Sequence, residues 1–236
     1  MSYDDSDERY WEAERDSKIE KYSQIILKNS FNIETLYERG LLYLEKANEK
    51  LPRSNENLNF EYDLYAYIDL QNAIADFNSA IELEPSNYLF YISRGESYIL
   101  HDNFRYIFYE YKDYSNDYFV RNVIAPIYKN DNQYIKLIKD TYVYMLNYYN
   151  DNEFNYNFNF ALKDYEKAIE LNNECIDVYL NKANAYYDIA KRFYSIYYFN
   201  SAINNYEIFI NKYDDKSNEN YLCAYLYRAL SCYQKY

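Results

Sequence analysis

Glycine is nearly absent from this chain. Only two occur in 236 residues. Two cannot build a glycine-rich phosphate loop, a dinucleotide fingerprint or a P-loop, each of which needs at least two in one short window. Nor can they supply the positive-φ turns of a sandwich or barrel. Prolines number three, Pro52, Pro85 and Pro126, and a long chain with so few breakers reads as helical. Cations are in deficit: 25 Lys and Arg face 38 Asp and Glu, a formal charge of −13. That balance opposes phosphate backbones and anionic membranes, which need clustered cations. It favours a basic partner through long-range attraction. The three cysteines, Cys175, Cys223 and Cys232, are odd in number and show no CxxC, so they form neither a disulfide framework nor a zinc site. They read as free, buried thiols in a reducing compartment. The start of the chain lacks a basic n-region and an apolar h-region. No run approaches the ~18 apolar residues of a membrane span. A cytoplasmic protein is expected.

The two glycines sit in matching surroundings. One is Leu36-Tyr37-Glu38-Arg39-Gly40-Leu41-Leu42-Tyr43, the other Tyr91-Ile92-Ser93-Arg94-Gly95-Glu96-Ser97-Tyr98. Each has a large residue four before the Gly, an Arg directly before it and a Tyr three after. On a helix these offsets share one face. A mid-helix Gly costs about 1 kcal/mol against Ala, so its use predicts another helix passing very close.

A second pattern runs from Ala73 through Asp76, Phe77 and Ala80 to Pro85. It returns from Ala161 through Asp164, Tyr165 and Ala168 to Asn172-Asn173, and more loosely as Ala202 to Ile210 with Tyr206. This is an amphipathic helical stripe closed by a helix stop. Ala73 precedes Gly95 by 22 residues, and Ala161 precedes Ala183 by the same 22. Ala183 lies in Tyr179-Leu180-Asn181-Lys182-Ala183-Asn184-Ala185-Tyr186, the first pattern with Ala for Gly. Gly95 to Ile107 adds 12, giving the 34-residue helix–turn–helix period.

These residues resemble the tetratricopeptide repeat family. The likeness rests on Leu36, Tyr91, Tyr179 and Tyr225; on Gly40, Gly95, Ala183 and Ala229; on Tyr43, Tyr98 and Tyr186; on Ala73, Ala161 and Ala202; and on Phe77, Tyr165, Tyr206 and Pro85. It implies an all-α fold, an α-solenoid of about four stacked helix–turn–helix units. The register departs from the family at an insert near residues 48–65, with Leu51 to Asn59 as its loop. It departs again where Ile107, Tyr111 and Tyr114 stand at small-residue sites, and at residues 116–132. Tyr134 to Tyr149 is expected as a first-type helix. Residues 17–236 are expected as one repeat domain: a first half 17–115, a degenerate middle 116–132 and a second half 133–236. Residues 1–16 are expected as an acidic, mobile tail, since Asp4-Asp5-Ser6-Asp7-Glu8 lacks the central Gly and closing Glu of a calcium loop. Tyr221 to Tyr236 is expected as an unpaired terminal helix.

No catalytic, metal or cofactor constellation stands out. His101, the sole histidine, falls at an expected inter-helix turn with no matched Cys or carboxylate. The 37 tyrosines divide in two. Those in repeat register read as core; others, such as Tyr37 and Tyr187, read as contacts for a partner. The resemblance implies a concave groove lined by first-type helices. Glu34, Tyr37, Glu38, Leu41, Leu44, Ile92, Glu96, Ile99, Leu180, Asn184, Tyr187 and Asp188 are its expected contacts. Some relatives in the family clamp a terminal carboxylate there, but the cations such a clamp needs are missing. Arg39, Arg94, Lys182 and Arg228 lie off that face. The expected function is a non-enzymatic scaffold that binds a basic or amphipathic segment of another protein, not nucleic acid or membrane. A chaperone for a secreted or membrane-complex client is the alternative, and an enzyme or its regulatory subunit a third reading.

Overall fold

A computed structural model describes residues 5–50, 60–110 and 156–234, apart from 214, 215 and 217. Among the described residues there are eight helices and no strand, so the fold is all-α. In chain order they are α1 (Asp5–Lys28), α2 (Ile33–Glu49), α3 (Phe60–Leu83), α4 (Tyr88–Glu110), α5 (Tyr156–Leu171), α6 (Asp177–Phe193), α7 (Ile196–Lys212) and α8 (Glu219–Gln234).

Asparagine does the work that glycine and proline do elsewhere. The Asn32 side chain accepts from the Thr35 N–H at 3.1 Å and caps α2, satisfying a donor that has no partner within the helix. The Asn87 side chain takes the Leu89 N–H ahead of α4, and Asn172 takes the Glu174 N–H after α5. Pro85 stands two residues beyond the end of α3, as its helix-stop reading requires. Between α6 and α7 only Tyr194 and Ser195 intervene, and Tyr194 is left-handed at φ 49°. That is uncommon for a bulky residue.

The helices group into two compact units, Met1–Leu83 with Leu100–Asn157, and Glu84–Ile99 with Phe158–Tyr236. In the first, α2 and α3 pack along Leu36, Gly40, Leu44 and Ala47 on one side and Ala66, Leu70, Ala73 and Phe77 on the other, all buried. Helix α1 lies against α2, and ion pairs join Arg15 to Glu49 and Asp16 to Lys46, both at 2.6 Å. In the second unit the core runs from Tyr91 through Tyr165 and Ala168 to the cluster of Leu180, Ala183, Tyr187, Phe199, Ala202, Tyr206 and Phe209.

The predicted close crossings are present. A Cβ built on Gly40 would lie 2.6 Å from the Phe77 ring, and one on Gly95 would lie 2.7 Å from the Tyr165 ring. Both distances are too short for any side chain. Each glycine is thus a socket for an aromatic knob from a neighbouring helix.

Several expectations are corrected. Helix α4 does not turn before Ile107 but continues to Glu110, and the partner of Gly95 lies on α5. The 34-residue unit drawn through Ile107 therefore dissolves. His101 sits inside α4, buried, with its ring 4.3 Å from that of Tyr67 and its Nδ1 2.7 Å from the Asn157 amide. Residues 5–16, expected as a tail, belong to α1, and Arg15 is buried because Glu49 neutralises it. The insert near 48–65 is helical at its two ends, where α2 reaches Glu49 and α3 starts at Phe60. The three thiols are free, but none is fully buried and Cys232 is exposed. The expected loop at 51–59, the degenerate middle at 116–132 and the helix at 134–149 lie outside the described residues.

Candidate partner-binding face

The sockets come with a polar latch. Arg39, directly before Gly40, grips Asp76, directly before Phe77, through two parallel bonds: Nε to Oδ2 at 2.8 Å and Nη2 to Oδ1 at 2.7 Å. Arg94 grips Asp164 in the same way at 2.8 and 2.6 Å. Bidentate guanidinium–carboxylate pairs are among the stronger hydrogen-bonded contacts and fix relative orientation. Burial pushes both aspartate carboxyls above the usual range, and the arginine bonds oppose that shift. At Ala183 the latch changes. Lys182 reaches back to Glu166 at 3.1 Å, and the Tyr206 hydroxyl donates to Asn184 Oδ1 at 2.8 Å.

Beside its latch, α2 presents exposed acids, whereas Glu96 of α4 is half-buried. In the first unit Glu34 and Glu38 are exposed, and Tyr37 and Leu41 are half-buried. The Tyr37 ring leans on Phe77 at 5.8 Å, so the socket's knob also holds the candidate contact residue. In the second unit Ile92, Glu96 and Ile99 on α4, and Asn184 and Asp188 on α6, are half-buried. Glu96 is tied to α6 by a short hydrogen bond donated by the Asn181 amide. Burial pushes the Glu96 carboxyl above its usual range; Asn181 opposes this and nearby Asp177 adds to it. Burial likewise raises Asp188, against Arg192 and Lys191.

Three expected contacts are corrected. Leu44, Leu180 and Tyr187 are buried, at 8, 9 and 6 % exposure. Tyr187 packs against the rings of Phe199 and Tyr227 at 6.2 and 5.2 Å. These three fill the core because they lie one helical turn from the small-residue sites, on the same side as the sockets. Asn184 spends its carbonyl on Tyr206. Glu34, Tyr37, Glu38, Leu41, Ile92, Glu96, Ile99 and Asp188 keep some surface. Asp177, exposed in the first turn of α6, is an acid that the sequence reading passed over.

The described residues contain no cluster of three or more His, Cys, Asp or Glu able to hold a metal ion. None of the described helices is long and apolar enough to cross a membrane. No protein-family model matches the chain, and no curated protein matches it.

Proposed function

We propose that this chain is a tetratricopeptide-like helical-repeat protein that holds a segment of another protein, and that first-type helices carry the contacts, α2 in the first unit and α4 and α6 in the second. The observation that carries this reading is the recurrence of one packing device. A small residue on α2 and on α4 receives an aromatic ring from the next described helix; in both cases the residue before it latches onto the residue before the ring. On α6, Ala183 stands in the same register and shares a buried cluster with Tyr206. Units that bury their stripes against neighbours in this way expose long surfaces suited to extended or helical segments. The exposed acids Glu34, Glu38 and Asp177 select a basic segment by charge. The proposed role is that of a scaffold.

The test is capture of a partner from the source cell with the wild-type chain, with Tyr37→Ala, with Ile92→Ala and with Glu34→Lys/Glu38→Lys. Loss of the same prey from all three variants, and its release as salt is raised, is the expected result. A prey that binds more tightly with salt and ignores the charge reversal overturns the reading. Aggregation of that prey without the chain, relieved on co-expression, would favour the chaperone role over the passive scaffold.

A further inference from the structure

Helix α8 repeats the sequence of α6 in order. Val178 corresponds to Ala224, Tyr179 to Tyr225, Leu180 to Leu226, Lys182 to Arg228, Ala183 to Ala229, Ala185 to Ser231 and Tyr187 to Tyr233. The inward side is buried in both helices: Val178 and Ala185 on α6, Ala224 and Ser231 on α8. The other side differs. Leu180, Ala183 and Tyr187 are 9, 0 and 6 % exposed, and α7 follows them in the chain. Leu226 and Tyr233 are 57 and 82 % exposed, with Leu222 at 57 %, Tyr225 at 48 % and Ala229 also exposed.

The α8 face also copies the latch of α4. There the Arg94 guanidinium lies over the Tyr91 ring at 5.6 Å, next to the Gly95 socket, and receives Asp164. On α8 the Arg228 guanidinium lies over the Tyr225 ring at 5.5 Å, next to Ala229. Ser97 and Ser231 each bond back one turn, to Ser93 and Tyr227, at 2.9 and 2.7 Å. The only ion pair Arg228 shows among the described residues is a loose 3.7 Å contact with Glu207 on the side of α7, about half of whose side chain is exposed. A pair so exposed holds its members weakly.

We propose that α8 is an open socket for an amphipathic helix of another protein, one that carries an Asp directly followed by Phe or Tyr. The aromatic ring seats on Ala229 between Tyr225, Leu226 and Tyr233, and the aspartate meets Arg228. The occupant's chemistry follows from the two filled copies, Asp76-Phe77 and Asp164-Tyr165. The residues of this surface are none of those proposed above to contact a partner, and it does not depend on the solenoid reading.

The probe is a labelled synthetic peptide with the α5 sequence, residues 156–171, titrated into the full chain and followed by fluorescence anisotropy. Saturable binding is expected. It should weaken at least about tenfold, the scale of one lost charge-assisted hydrogen bond, when the peptide carries Asp164→Lys, when the chain carries Arg228→Glu, and when the chain carries Ala229→Glu. Both chain positions are solvent-accessible, so circular dichroism should show the variants folded. If the peptide instead invades its own site on α4, its binding will be indifferent to both α8 variants, and the proposal fails. It fails also if sedimentation shows a dimer that Ala229→Glu disperses, because a second copy then covers the face.

Discussion

Helices α2 and α3 in the first unit, and α6 and α7 in the second, solve one packing problem with different polar chemistry. Both put a small residue under a buried aromatic, Gly40 beneath Phe77 and Ala183 in one cluster with Tyr206. The α2–α3 pair adds a bidentate Arg39–Asp76 bond. The α6–α7 pair has Lys182 and Asn205 at those positions, and turns instead to a tyrosine hydroxyl on Asn184. The small residue is therefore the geometric requirement. The latch is a replaceable means of fixing the angle between helices.

The sharpest way to break this comparison is to fill a socket. Gly40→Val and Gly95→Val each force a buried ring to move. Each should cost about 3 kcal/mol of stability in chemical denaturation. Ala183→Gly, in the site that tolerates a methyl, should cost about 1 kcal/mol through helix propensity and the lost contact. Near-equal losses at all three sites would refute the socket as the common element.

Cutting a latch should cost less than filling a socket. Asp164→Ala leaves the half-buried Arg94 without its carboxylate and should cost about 2 kcal/mol. Tyr206→Phe removes one neutral bond and should cost about 1 kcal/mol, leaving Asn184 to water. The reverse order would mean that the tyrosine hydroxyl, not the ion pair, is the stronger latch.

The smallest effect expected is electrostatic. Burial raises the carboxyls of Asp69, Asp76, Glu96, Asp164 and Asp188. A raised folded-state value means that the native state holds protons more tightly than the unfolded chain. The resulting stability is complete below the ordinary carboxylate range and is lost as pH rises through the raised values. Melting temperature should fall as pH rises from the ordinary carboxylate range through these raised values. Glu96→Gln keeps an oxygen for the Asn181 amide and removes the buried charge. It should stabilise the chain at neutral pH by up to about 1 kcal/mol and flatten that slope. An unchanged slope would move the effect to the other four groups.

Much of the helical pairing was legible in the residues. Gly40 and Gly95 announced close crossings because a mid-helix glycine is costly unless something needs the space. The stops at Pro85 and Asn172 were equally plain. The pairing of Gly95 was not, because residues 111–155 separate it from Tyr165 and no local period spans such a gap. The Asp-aromatic dipeptide was visible within the repeated stripe, at Asp76-Phe77 and Asp164-Tyr165. Its link to Arg-Gly was missed because a latch between distant segments leaves no spacing rule. Among the candidate contacts, Glu34 and Glu38 are exposed as expected. Leu44, Leu180 and Tyr187 are not, since the face of a helix that meets solvent depends on how many neighbours pack against it.

The position of the one tryptophan has an optical consequence. Trp11 lies on α1, 64 % exposed, beside Tyr10. Its emission should match that of an indole in water and change little when the helices melt. It reports the local motion of α1 instead. The buried rings of Tyr67, Tyr165 and Tyr206 carry the near-ultraviolet circular dichroism of the two cores. Loss of α1 alone and loss of the whole fold should thus separate by wavelength in one sample.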